Sequence, residues 1–107
     1  MATITATSNS ESIVNFASGS YISASTGTDT LNLGFVPRFV EIWNLTDLSK
    51  FAKFEAQTGG NTVKQVTAGT LSVATAAITI NTDGTVTVDT GANGVGATKT
   101  LSFVAFG

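Results

Sequence analysis

Residues 37–47, PRFVEIWNLTD, place apolar side chains on both faces of one extended strand. Even and odd positions of the segment are apolar alike: Val40 and Ile42 on one side, Phe39, Trp43 and Leu45 on the other. Successive side chains of a strand point to opposite faces, so a strand with one face in water would be apolar at alternate positions only. This strand therefore lies centrally in a two-layer structure, or another chain covers its outer side.

Residues 77–89 predict a β-hairpin. The segments AITINT and TVTVDT alternate Ile or Val with Thr, and Asp83-Gly84 lies between them. Asp-Gly is a favoured pair for a two-residue type I′ turn, so Gly84 is expected to have a positive φ. The segment 100–106 is again apolar on both faces and predicts a last strand.

Other segments have weaker patterns. Residues 48–57, LSKFAKFEAQ, fit an amphipathic helix or a strand in which Phe51, Lys53 and Glu55 share a face, and the strand is favoured. Residues 18–28 are rich in Gly, Ser and Thr, which is typical mostly of a loop, and Tyr21-Ile22-Ser23 is a candidate short strand within them. Residues 69–77 fit a loop or an irregular edge.

These segments together predict an all-β fold. Thr and Val, which favour strands, are abundant, whereas the helix-favouring Leu, Glu and Lys are scarce. We expect seven to nine short, mostly antiparallel strands in a β-sandwich or jelly-roll-like domain. At 107 residues the chain is expected to be a single domain, 1–107, in which residues 1–12 add an N-terminal strand or arm.

The amino-acid composition argues against several classes of function. Charged residues make up 11% of the chain, and its five basic residues are spread along the whole length, so nucleic acid and membrane surfaces are not expected partners. His and Cys are both absent, which removes imidazole catalysis, thiol nucleophiles, disulfides and the usual zinc sites. We therefore predict no catalytic residue, no cofactor and no metal. The N-terminal residues lack the pattern of a secretory signal, which favours synthesis in a cytoplasm without export.

Two groups of acidic and amide residues have the chemistry of a metal or catalytic site, but neither group predicts one. Asn81, Asp83 and Asp89 flank the hairpin, but the further ligands of a calcium loop are missing, so turn hydrogen bonding is favoured. Glu41 and Glu55 have the chemistry of a glycosidase pair, but nothing in the sequence places them together.

The aromatic residues near the centre of the chain are the candidate interface. Trp43 and the phenylalanines fit a core, a protein–protein interface or a platform that stacks on sugar rings. Because one sheet covers only one side of the 37–47 strand, we predict that a face carrying Phe39, Trp43 or Phe51 meets another protein chain. Arg38, at the entrance of that strand, is the candidate charged contact of the same interface.

Residues 33–47, LGFVPRFVEIWNLTD, carry a resemblance to a known family. The order Gly-Phe-x-Pro-Arg-x-Val, then alternating apolar residues, then Asn-x-Thr is similar to a pattern in small structural proteins of tailed bacteriophages. A stretch with aromatic and charged residues follows at 50–55, a stretch that ends in Ala-Gly-Thr at 62–70, and a closing strand at 101–106. The resemblance covers residues 30–107 and is most specific at 33–47.

The resemblance implies a virion component without catalysis. The first candidate is a capsid decoration (cement) protein that binds and stabilises the lattice of the major capsid protein. Such a protein is expected to be a homo-oligomer, and we expect a trimer. The alternative within the same family is a tail or fibre module. Two further candidate functions belong to other classes of protein: a carbohydrate-binding β-sandwich and a small hydrolase. The implied location is the virion, at the capsid surface or in the tail, after synthesis in the cytoplasm of a bacterial host.

Overall fold

Two antiparallel sheets pack against each other in this protein. The computed structural model describes residues 15–54, 61–91 and 94–107, so residues 1–12 lie outside the described part. Nine strands and no helix occur in these ranges. The strands are β1 (Phe16–Ile22), β2 (Thr28–Asn32), β3 (Phe39–Asn44), β4 (Ser49–Phe54), β5 (Asn61–Gln65), β6 (Leu71–Thr75), β7 (Ile78–Ile80), β8 (Thr85–Asp89) and β9 (Thr100–Phe106).

The six-stranded sheet has the order β1-β9-β3-β4-β5-β6, and the three-stranded sheet has the order β2-β8-β7. Every pairing between neighbouring strands is antiparallel. This arrangement is a β-sandwich, which confirms the predicted all-β class and the expected number of strands.

The core lies between the two sheets. Inward side chains of β3 and β9 meet those of β7 and β8, and all of the following have no exposed surface: Val40, Ile42, Leu101, Ala105, Ile78, Val86 and Val88. Burial of one Val, Ile or Leu side chain stabilises a fold by about 1.5–3 kcal/mol. These contacts make the even positions of β3 the inner ones and leave its odd positions on the opposite face.

The strand interpretation of residues 48–57 is confirmed over β4, and residues 55–57 lie outside the described ranges. Phe51 and Lys53 share the inner face of β4 and are 1% and 2% exposed. The Lys53 ammonium donates a hydrogen bond to the Asn61 carbonyl oxygen at 2.9 Å. Burial lowers the pKa of Lys53, because the interior disfavours its charged form.

β1 continues to Ile22, so the expected loop is wrong for residues 18–20, whereas the candidate strand at 21–23 is confirmed for Tyr21 and Ile22. Gly19 pairs with Phe103 of β9, and a Cβ atom at Gly19 would lie 3.0 Å from that ring. The glycine therefore makes room for an aromatic ring across the strand, which is a packing role that composition does not reveal. Residues 71–75, expected as loop or irregular edge, form the regular edge strand β6.

The hairpin between β7 and β8 exists, but its turn differs from the predicted one. The Asn81 N–H donates to the Thr85 carbonyl oxygen at 3.0 Å, so the loop has three residues, 82–84, instead of two. Gly84 has a φ of 87°, whereas Asp83 is not among the residues with positive φ, and a type I′ turn needs both. The N–H and hydroxyl of Thr85 both donate to Asp83 Oδ1, at 3.0 and 2.5 Å, and these bonds favour the longer loop.

Gly84→Val is expected to destabilise the domain by about 1–3 kcal/mol, because a β-branched residue is strained at positive φ. The new Cβ would also lie 3.2 Å from the Phe35 backbone nitrogen. Thr82→Val, in the same loop but without a positive φ, is the matched control and should change stability by less than about 0.5 kcal/mol. Urea unfolding measures both, and equal stability of the two variants would contradict the assigned turn.

Tyr21 is the single tyrosine of the chain and lies on the inner face of β1. Its ring meets Phe103 edge-on with centroids 6.2 Å apart, and its buried hydroxyl has no hydrogen-bond partner among the described residues. Burial, and secondarily the charge of Asp29, raises the pKa of Tyr21 above its usual value of 10.0. The unfolded chain releases this proton first, so the stability contributed by Tyr21 is complete below pH 10 and is lost as the pH rises further.

The near-ultraviolet tyrosinate absorbance of the native protein should therefore stay low through the ordinary pKa of tyrosine. It should rise only together with alkaline unfolding, which circular dichroism follows in the same samples. In guanidinium the same residue should titrate near pH 10. A reversible rise near that pH in the folded protein would show that the Tyr21 hydroxyl is in contact with water.

Candidate protein interface on the outer sheet face

The side of the six-stranded sheet that points away from the three-stranded sheet is unusually apolar, and we call it the outer face. Pairing and burial assign to it Phe16, Ser18, Ser20, Ile22, Phe39, Glu41, Trp43, Lys50, Ala52, Phe54, Asn61, Val63, Gln65, Leu71, Val73, Thr75, Thr100, Ser102, Val104 and Phe106. Several large apolar members are widely exposed, including Trp43 at 44% and Val73 at 67%.

Four phenylalanines form a row across β1, β9, β3 and β4, which we call the phenylalanine ladder. The register places Phe16 opposite Phe106, Phe106 opposite Phe39, and Phe39 opposite Phe54. The ring centroids of these successive pairs are 5.2, 6.3 and 4.8 Å apart. Such pairs are worth about 0.5–1.5 kcal/mol each beyond their burial, so the ladder holds its own shape while it offers aromatic surface to a partner.

Trp43 lies midway across the outer face, on central strand β3 and one residue from the end of that strand. Its indole Nε1 donates to Glu41 Oε1 at 2.5 Å. The Lys50 ammonium lies 5.2 Å from the centroid of the Trp43 ring, within cation–π distance. Trp43 is thus in contact with one acidic and one basic side chain, Glu41 and Lys50. Among the residues assigned to the outer face, these two are the charged ones.

The outer face has the size of a protein interface. Six strands spaced about 4.8 Å apart, each about six residues long at about 3.4 Å per residue, give a face of roughly 600 Å². A contiguous apolar patch of several hundred Å² on a soluble protein marks a binding surface more often than chance exposure. A shallow depression of about 370 Å³ lies within it, between Phe39, Phe54 and Leu71.

Two of the predicted interface residues, Phe39 and Trp43, lie on the outer face. Phe51 is placed elsewhere: it points into the core and is 1% exposed, because its position in β4 has the opposite parity to Lys50. It is therefore not available to a partner of the folded domain. Arg38 is exposed, and its backbone N–H donates to the Phe106 carbonyl oxygen at 2.7 Å, beside the phenylalanine ladder.

Sequence reasoning missed several outer-face residues, namely Phe16, Phe54, Phe106, Leu71 and Val73. Their signal is present, since a phenylalanine stands at the end of each of the first four strands of the sheet order. That these rings meet depends on pairings between segments far apart in the chain.

The acidic residues near the hairpin make local hydrogen bonds. Asp89 Oδ1 accepts from the Gly91 N–H at 3.0 Å, and Asn81 Nδ2 donates to the hydroxyls of Thr85 and Thr87 at 3.1 and 2.9 Å. The hydrogen bonds from Thr85 lower the pKa of Asp83. Within the described ranges, no group of three or more His, Cys, Asp or Glu residues is arranged to hold a metal ion. Glu55 lies outside those ranges, so its distance from Glu41 is untested.

Comparisons with protein-family models, with curated protein sequences and with solved structures give no match to this chain. In the part of the chain that the structure describes, no helix has the length and apolar character needed to cross a membrane. Function is therefore inferred from the chemistry of the outer face and from the resemblance at residues 33–47.

Trp43→Ala should leave the fold intact, with a loss of stability of about 1 kcal/mol or less, because much of its side chain is already in water. Phe51→Ala, on the neighbouring strand but in the core, should cost about 3–5 kcal/mol. Urea unfolding of the two variants compares an outer and an inner aromatic in one sheet. A Trp43 variant as unstable as the Phe51 variant would place Trp43 in the core.

Proposed function

We propose that this protein is a non-catalytic structural component of a tailed-bacteriophage particle, most concretely a capsid decoration protein that stabilises the lattice of the major capsid protein. The observation that carries the proposal is the exposed apolar outer face, with Trp43 midway across it and the phenylalanine ladder along one end. The phage assignment is supported by the resemblance of residues 33–47 to small structural proteins of such particles.

The composition of the outer face favours a protein partner. Interfaces between proteins are rich in Trp and Phe at their centres, poor in charge there, and polar at their rims. Both edge strands, β1 and β6, mix polar members with large exposed apolar ones, such as Phe16 and Val73, and central strand β3 adds Phe39 and Trp43. The exposed apolar surface therefore extends across the whole face, which favours a protein partner.

A sugar ligand fits the outer face less well. A platform for stacked sugar rings needs aromatic planes that face the ligand together. Of the three ladder pairs, Phe39 and Phe106 are inclined by 26°, whereas Phe16 and Phe106 are tilted by 52° and Phe39 and Phe54 by 50°. Sugar hydroxyls also need polar partners, and the ladder itself has none, so Glu41, Lys50 and Gln65 beside the depression would have to supply them. Interlocking, tilted rings suit the packed side chains of another protein.

Copy number separates a capsid position from a tail position. A decoration protein is expected at a copy number comparable to that of the major capsid protein, whereas a tail or fibre module is expected at a much lower one. Quantitative mass spectrometry of purified particles from a host that expresses this chain measures the ratio. Absence of the chain from those particles would contradict a virion role.

Trp43→Ala should reduce incorporation into particles, because truncation of a central interface aromatic commonly costs about 2 kcal/mol or more, roughly 30-fold in affinity. Leu48→Ala is the matched control, since Leu48 is 65% exposed in the β3–β4 loop and is not part of the outer face. Incorporation is measured on particles from hosts that express each variant at equal levels. Equal incorporation of both variants would show that the outer face is not the surface used in the particle.

A further inference from the structure

We propose that the outer face binds a second copy of this chain, face to face about a two-fold axis, so that Glu41 of each copy meets Lys50 of the other. This inference names the partner of the outer face and rests on the proposed function only in taking that face as a protein interface. The carrying observation is that the face holds one acid and one base, both in contact with Trp43.

The register of the central strands sets the geometry. Glu41 pairs with Ala52, and Trp43 pairs with Lys50, so these four residues form a quadrilateral between β3 and β4. Glu41 and Lys50 lie on one diagonal, and Trp43 and Ala52 lie on the other. A two-fold axis along the second diagonal, parallel to the face, brings Glu41 over Lys50 of the other copy at both contacts.

The same axis places Trp43 against its own symmetry mate, near the centre of the contact. Because the axis is diagonal to the strands, the strands of the two copies cross at a large angle, as in orthogonal packing of sheets. Ala52, on the axis beside Trp43, leaves room for the facing side chains. An isologous contact requires such self-complementarity, since residue i of one copy meets residue j of the other and the reverse.

Charge and area both suit a second copy. Glu41 and Lys50 give the face a net charge of zero, so two identical faces approach without net repulsion and with opposite charges aligned. Because the strands cross at a large angle, the two faces overlap over roughly 400 Å² on each copy, about 800 Å² in total, which suits a weak, reversible dimer. Interfaces between identical subunits are also more apolar than others, as this face is.

Charge reversal in the full chain tests the pairing. Sedimentation velocity over a concentration series should show a monomer–dimer equilibrium for the wild type. Glu41→Lys and Lys50→Glu each place like charges together at both symmetric contacts, and each should weaken the dimer by about tenfold or more in Kd. Thr82→Lys, which adds a charge on the exposed loop of the three-stranded sheet and away from the outer face, is the matched control and should leave the dimer unchanged.

Mixing distinguishes the proposed pairing from any general loss of binding. An equimolar mixture of the Glu41→Lys and Lys50→Glu variants should form a mixed dimer, and the double variant should dimerise with itself again. Circular dichroism checks that each variant is folded. If Glu41→Lys does not fold, Lys50→Glu and Lys50→Gln still decide the question, because the reversal should weaken the dimer more than the neutral change does.

Three results would overturn the inference. The wild type stays monomeric, or it forms an oligomer that neither single reversal weakens. In the third, the single variants are weakened but neither pair with each other on mixing nor recover in the double variant. A trimer that is insensitive to the reversals counts among these outcomes. If the pairing fails in one of these ways but Trp43→Ala is still lost from particles, the proposed function stands. The partner of the outer face is then a different virion protein. Normal incorporation of Trp43→Ala would overturn the use of this face in the particle, whatever the result for dimerisation.

Discussion

The rest of the structure depends on the burial of one face of a six-stranded sheet by a three-stranded one. Val40 and Ile42 of β3 meet Val86 and Val88 of β8 across this contact, and all four are fully buried. A sheet can be covered on only one side by a single second layer, so the other side must be polar or must find a partner. In this protein it carries exposed aromatic side chains, so the candidate binding surface is a product of the fold itself.

A buried polar residue fixes how β3 joins this arrangement. Asn44 is 2% exposed, and its Nδ2 donates to the Val95 carbonyl oxygen at 2.8 Å and to Asp47 Oδ2 at 3.0 Å. Its Oδ1 accepts from the N–H groups of Thr46 and Asp47, at 3.0 and 2.9 Å. A buried amide is stable only when its groups are paired in this way. The network closes the β3–β4 hairpin, and that closure keeps Trp43 on the outer side.

The outer face combines a large apolar area with few charged side chains. The phenylalanine ladder and Trp43 supply apolar area, while Glu41 and Lys50 are bound to the indole and do not form a charged barrier to a partner. A small protein without His or Cys has few means of catalysis, but it has enough surface to join other chains. The proposals of a protein-binding role and of self-pairing both start from this apolar surface.

The sequence by itself determined the all-β class, the strands at 39–44 and 100–106, and the positive φ of Gly84, because alternation and turn residues are local properties. It also showed that β3 is apolar on both faces. Period-two alternation separates Phe39 and Trp43 from Val40 and Ile42, but it does not say which set points inward.

Only the tertiary structure decided that question, through the second sheet that covers the even positions of β3. The same holds for Phe51, whose aromatic character suits a core and an interface equally. It also holds for Gly19, which pairs with β9 and, as a glycine, leaves space for the Phe103 ring. The phenylalanine ladder likewise depends on the register of β1, β9, β3 and β4. Strand pairing joins residues that are distant in the chain, and its free energy comes from the whole sheet, so no local pattern specifies it.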